Sequence, residues 1–332
     1  MNSVKTWSRR GGRSDKNPHK KCHISDTRSA KCGADHLLIQ RIFEPPPGSI
    51  LYHYCSTTAF EAIVKSGRIR FSDINMMNDA HEMRLGYHIF ELAAGELMKL
   101  SETSANLKGM TKDFFDKVDG IISPLQLSMH PFVVGFSREP DLLGQWRAYA
   151  DDGRGFTIGF DAQALRNMPV TLIGIEYERD HQIEEMKAAL GAIYLENLDD
   201  GNSFDSKFRQ SCMLLGNLMS GFKNATFKDE REVRSIHVLT VKIKGQSIRL
   251  TDEGGLIGQK DEVAGETVQF RTSDSAIIAF IDLPFGRGFQ GCPIREVILG
   301  PKNPNKPGNV LMFLSHAGYE GVIIRKSVSS YR

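Results

Sequence analysis

The sequence predicts an α+β fold, with a mixed, mostly antiparallel sheet at its core and helices at its periphery. Three observations lead there. Stretches with strand alternation and stretches with helical periodicity are interspersed along the chain. They follow no regular strand–helix–strand rhythm, which argues against a doubly wound parallel sheet. No internal repeat is present, which sets aside a solenoid.

The elements follow in order. Tyr52 to Tyr54 belong to a short apolar and aromatic strand. Thr58-x-x-Glu61 fits a capping box, and Gly67 fits the stop of the helix it opens. Arg68 to Phe71 alternates as a short strand. Asn75 to Asn78 is turn-like, and Asp79 can cap a long helix to about Leu100. On that helix Met83, Tyr87, Phe90, Ala94 and Leu97 recur at three and four residues. Strands are expected at Pro131 to Ser137, Gly155 to Phe160 and Val170 to Tyr177, with Asp161 capping a short helix between the last two. Two helices come next. The first carries Ile183, Met186, Leu190, Ile193 and Leu198, and the second carries Phe204, Phe208, Met213, Leu215 and Phe222. Strands recur at Val233 to Ile243, Ile277 to Leu283, Val297 to Leu299 and Val322 to Ile324. Asn309 to Ala317 is a helix between the final pair.

Bulk properties narrow the function classes. A net charge of +2 over 332 residues does not mark the whole chain as a nucleic-acid binder. The charge is concentrated at the start, where Lys5, Arg9, Arg10, Arg13, Lys16, Lys20, Lys21, Arg28 and Lys31 face only Asp15 and Asp26. This stretch has almost no large apolar residues. Residues 1–47 therefore read as a flexible basic tail, and 48–332 as a single α+β domain. Nucleic-acid contact is open to the tail. No apolar run is long enough for a membrane span, so no membrane partner is expected. The five cysteines are odd in number and widely spread, which argues for a reducing, cytoplasmic setting. His19, Cys22, His23, Cys32 and His36 have zinc-ligand chemistry but match no common finger spacing, so no metal is expected.

Several residues stand out chemically. His53 lies on an aromatic strand that runs into a capped helix, beside outward-facing backbone N–H groups that suit a phosphate or ribose. A hydrogen-bonded core histidine fits the same position. The adjacent Tyr52 and Tyr54 are expected to point to opposite faces, one packing in the core while the other lines a cleft. In Glu230-Arg231-Glu232-Val233-Arg234, strand alternation places Glu230, Glu232 and Arg234 on one face. They form either a solvated edge or a carboxylate held ionised by Arg234, able to stabilise positive charge developing on a sugar. Ser137-Arg138-Glu139 is a polar switch at a strand end. Trp146 and Tyr149 lie on an apparent helix, facing one way, which suits core packing as well as a ligand wall. Glu296 is a further carboxylate at a strand start.

These residues form an ordered series. The chain resembles the bacterial family catalogued as domain of unknown function 2971. The resemblance rests on Leu51-Tyr52-His53-Tyr54, Asn78-Asp79 with Glu82, Phe136-Ser137-Arg138-Glu139, Gln145-Trp146 with Tyr149-Ala150, and Gly155 with Ile158-Gly159-Phe160. It continues through Glu230-x-Glu232-x-Arg234, Ile298-Leu299-Gly300-Pro301-Lys302, and Ser327 with Tyr331-Arg332. Cys55 stands where a threonine is more usual, and Val233 where a tryptophan is.

A second similarity is shorter. Leu51-Tyr52-His53-Tyr54, followed by a helix and Gly67, is similar to the first motif of histidine-type ADP-ribosyltransferases. This resemblance implies an ADP-ribosyltransferase-like fold and an NAD-consuming transferase, with toxin or phage-defence systems as its setting. NAD would be the substrate, and the acceptor a protein or nucleic acid. It gives His53 the adenosine ribose and Ser137 the nicotinamide pocket. Glu232, paired with Glu230, takes the oxocarbenium-like transition state, with Glu296 as a rival. Tyr54, Ser56, Arg234, Trp146 and Tyr149 are the accompanying NAD-binding candidates. A metal-independent nuclease or nucleic-acid-processing protein using His53, Arg234 and the glutamates is the alternative, as is a module that senses a nucleotide without turnover.

Overall fold

Ser56, not Thr58, starts the first helix of the computed structural model. Its hydroxyl accepts from Ala59 N at 3.2 Å, capping α1 (Thr57–Ser66). Gly67 ends the helix in the left-handed conformation at φ 63°, where a Cβ would be strained. The structure describes residues 44–74, 82–104, 107, 109–199, 201, 203–258, 260–273 and 275–331. Residues 1–43 of the basic tail with its His/Cys group, the Asn78-Asp79 motif and Arg332 lie outside the described residues.

The strands are β1 (Ile50–Cys55), β2 (Arg68–Asp73), β3 (Met129–Ser137), β4 (Phe156–Asp161), β5 (Thr171–Gly174) and β6 (Glu232–Lys244). They continue as β7 (Ser247–Thr251), β8 (Gly255–Ile257), β9 (Asp261–Val263), β10 (Gln269–Ser273), β11 (Ala276–Pro284), β12 (Ile294–Leu299) and β13 (Ile323–Lys326). One sheet runs β10-β11-β2-β3-β1-β4-β12-β13, and β6 pairs along β3 while carrying β5 and β7. Its pairs are antiparallel except for the parallel β12–β13. The fold is thus α+β with a mixed, mostly antiparallel sheet, as the interspersed pattern predicts.

Among the described residues, the two largest of four buried apolar clusters carry most of the core. On one face of β1, Leu51 and Cys55 pack with Phe136, Phe156 and Phe160 under Phe60 of α1 and Leu314 of the late helix Pro307–His316. The second core is helical. It joins Ile89 and Leu97 of Glu82–Ser101, Phe114 and Val118 of Lys112–Ser128, Leu190 of Arg179–Asp199 and Leu215 of Ser206–Met219. Burying each such side chain contributes about 1.5–3 kcal/mol. Helix Lys112–Ser128 and strands β7 to β10 were not expected from the sequence. Among the described residues no helix is long and apolar enough to cross a membrane.

One buried ion pair ties β6 to the loop after β7. His237 Nδ1 meets Pro169 O and Nε2 meets Asp252 Oδ1, each at 2.7 Å. Both partners are acceptors, so the ring donates twice and is held as imidazolium. Burial opposes that charge, but the bonds to Asp252 and Pro169 outweigh it and raise the His237 pKa. Burial likewise opposes the Asp252 charge, yet His237 and the N–H groups of Glu266 and Gly254 hold its carboxyl below the usual range. The histidine's contribution to stability is fully present below its unfolded pKa of about 6.5 and is lost as pH rises through the raised folded value. The aspartate's is present above about 3.9 and is lost as pH falls through the depressed value. We expect the thermal midpoint of the wild type to fall as pH rises above about 6.5 and through the raised folded value. His237→Gln should flatten that slope, as a pH series of calorimetric melts will show.

Candidate functional site

The sheet splits along one edge of β3. On its β6 side, β3 is paired from Met129 to Ser137. On the other side β2 pairs with Phe132 and Val133, and β1 pairs only with Ser137. Val134, Gly135 and Phe136 have no register partner there. A cleft of ≈ 490 Å³ opens at this split, within the size range of small-molecule sites. The wing β2–β11–β10 supplies Arg70 and Ser72, Ala276 and Ile278, and Arg271 and Ser273 to it. Each pair lies two residues apart, so the register brings one face of three strands to the cleft.

The opposite wall is ionic. The strand begins at Glu232, not Glu230: Ala225–Glu230 is a 3₁₀ turn, and Arg231 at φ 48° links the two. Both carboxylates nevertheless converge on Lys223, whose Nζ donates to Glu230 Oε2 at 2.6 Å and Glu232 Oε2 at 3.0 Å. Arg234 forks onto Glu232, with Nε–Oε1 at 2.9 Å and Nη2–Oε2 at 3.0 Å, and also donates to Ser220 O. Glu232 is 8% exposed and Arg234 2%. Burial alone would raise the Glu232 pKa, but Arg234 and Lys223 overcome it and hold the carboxyl down to about 2. Tyr149 donates to Glu230 Oε1 at 2.8 Å, and Tyr177 accepts from Glu232 N at 2.9 Å. Gly135 makes room for this cluster, since a Cβ there would stand 3.0 Å from Glu232 Oε1.

His53 enters from the other face of the sheet. It shares a face with Leu51 and Cys55, whereas Tyr52 and Tyr54 lie together on the opposite face and do not point apart, and it reaches the cleft where β1 parts from β3. Its Nδ1 donates to the Gly135 carbonyl at 3.2 Å, which leaves Nε2 as the acceptor nitrogen. Burial lowers the ring's pKa, against the smaller opposing effect of the Gly135 carbonyl, so the ring is neutral at pH 7. Phe136 packs against it with ring centroids 5.8 Å apart.

Of the residues singled out in the sequence, His53, Tyr54, Tyr149, Glu230, Glu232 and Arg234 line this cleft. Ser137, Ser56, Trp146 and Glu296 are not among its lining residues. The Ser137 hydroxyl donates to Glu230 O at 2.8 Å and accepts from Glu139 N at 3.1 Å, fixing the turn that carries Glu230. Ser56 is a helix cap. Trp146 is buried and donates to Asp141 at 2.6 Å. Glu296 accepts from Tyr52 OH and Arg325 Nε, both at 2.7 Å, in a separate buried group. Lys223, Phe227 and the wing arginines were missed, and Gln145 was noted only within the family motif. Lys223 sits in a turn with no pattern of its own. The wing positions need the β10–β11 register to be seen.

Residues 145–235 match the family described as a protein of unknown function, DUF2971. The match supports the first resemblance over that stretch. It takes in Gln145, Tyr149, Lys223, Phe227, Glu230, Glu232 and Arg234, the ionic wall of the cleft, while His53 and the wing lie outside it. No curated protein and no solved structure matches the chain.

Proposed function

We propose that the cleft at the sheet split binds NAD and that the protein is an NAD-consuming, ADP-ribosyltransferase-like enzyme. The observation that carries this reading is the meeting of His53 and Glu232 on Gly135. Although 179 positions apart in the sequence (232 − 53), both line one cleft of single-nucleotide size. Neutral His53 offers Nε2 to a ribose hydroxyl. Tyr54 and Tyr149 offer aromatic walls. In the reaction the ribosyl C–N bond breaks, its electron pair leaves with nicotinamide, and the ribosyl carbon becomes oxocarbenium-like. Glu232, ionised and fixed before the reaction, faces that developing charge. Glu230, the less buried carboxylate, stands where it can take a proton from the incoming acceptor, a protein or nucleic-acid group.

Calorimetric titration with NAD tests the binding half. Wild type should bind, and His53→Ala should weaken binding about tenfold, the worth of one hydrogen bond in a partly buried site. Unchanged affinity in His53→Ala removes the histidine from the site. Binding with no nicotinamide release favours a nucleotide-sensing module instead.

A further inference from the structure

We propose that Arg271 makes the wing end of the cleft a phosphate-binding subsite, so that the ligand carries a phosphate or diphosphate group. The inference rests on the reading of the cleft as a nucleotide site, but not on catalysis there. Six charged side chains line the cleft, and five of them are compensated. Lys223 and Arg234 offset Glu230 and Glu232. Arg70 is paired with Asp282 through Nε–Oδ1 and Nη2–Oδ2, both at 2.9 Å, and lies 3.7 Å over the Phe280 ring.

Arg271 differs from all of these. Among the described residues it has no carboxylate partner, and its Nε is buried without a hydrogen bond. A buried guanidinium N–H left unmade is costly, and the planar fork matches two oxygens of a phosphate. The Ser72 and Ser273 hydroxyls line the same end and can add donors. The cleft therefore carries a charge-balanced cluster, with the Glu230 and Glu232 carboxylates, on one wall and an uncompensated cation on the wing. A ligand with a cationic or cation-forming ribosyl group and an anionic phosphate fits that arrangement.

Titration calorimetry of the full chain with ADP and with adenosine tests it. Wild type should bind ADP at least about tenfold tighter than adenosine, the worth of a charge-assisted hydrogen bond. Arg271→Gln should abolish that preference, and Arg271→Lys should keep part of it, with unchanged circular dichroism in both. Equal affinity for ADP and adenosine, no ADP binding, or a preference retained in Arg271→Gln overturns the subsite. Arg271-dependent ADP binding without nicotinamide release keeps the subsite and removes the transferase reading. NAD cleavage with an unchanged KM in Arg271→Gln does the reverse.

Discussion

On the proposed NAD-consuming reading, Glu232→Gln should lose about a hundredfold or more in NAD turnover, while NAD affinity changes far less. The size follows from what the carboxylate supplies: a negative charge oriented before the bond breaks, on a buried side chain. Arg234 and Lys223 hold the carboxyl down to about 2, so it is ionised throughout the neutral range. An interaction that matters most in the transition state appears in kcat rather than in binding. Gln keeps the shape and one acceptor but carries no charge. Glu296→Gln is the matched control, because Glu296 is tied to Tyr52 and Arg325 away from the cleft. It should keep turnover. The opposite pattern, with Glu296 essential and Glu232 dispensable, would assign the chemistry to the wrong strand.

Arg234→Met produces the largest loss of stability. The guanidinium is buried and forks onto Glu232 while also satisfying Ser220 O. Removing one partner of a buried pair costs about 3–5 kcal/mol, because the other charge is left under-compensated. Here Lys223 remains on Glu232, so the lower end of that range is expected. Urea denaturation will read it, and a loss below about 1 kcal/mol would contradict the buried-pair account. The same pair sets an acid limit. The stability that ionised Glu232 contributes is present above its unfolded pKa of about 4.3 and is lost as pH falls through its folded value of about 2. Arg234→Met should raise the folded value and move that loss to higher pH.

The parts of the site readable in the sequence are those written as local alternation. Glu230, Glu232 and Arg234 stand out as ionisable groups at a strand start, and His53 as an imidazole in an aromatic strand. Their common location is a long-range fact. It depends on β1 leaving β3 after one register pair, Tyr52 with Ser137, which no local pattern encodes. Glu296 looks as catalytic as Glu232 in sequence. It is removed from the cleft by pairing opposite Gly159, where Tyr52 reaches it. Arg271 was invisible for the same reason, because only the register of Arg271 with Ile278 turns it inward. Helix Lys112–Ser128 was hidden by Pro124, although Phe114, Val118 and Ile122 carry its buried stripe. The strands β1, β3, β4, β6, β11 and β12 were legible because each is a buried apolar run. The exposed hairpin β6–β7 buries too little near its turn to leave a pattern there.

The central claim, that this cleft cleaves NAD, is tested most directly by nicotinamide release with enzyme in excess over NAD. Under those conditions transfer to water counts even when the true acceptor is absent. The account predicts that wild type releases nicotinamide well above the spontaneous rate and that Glu232→Gln, folded by circular dichroism, does not. Release at the background rate by folded wild type, with acceptor protein and nucleic acid also supplied, would contradict it.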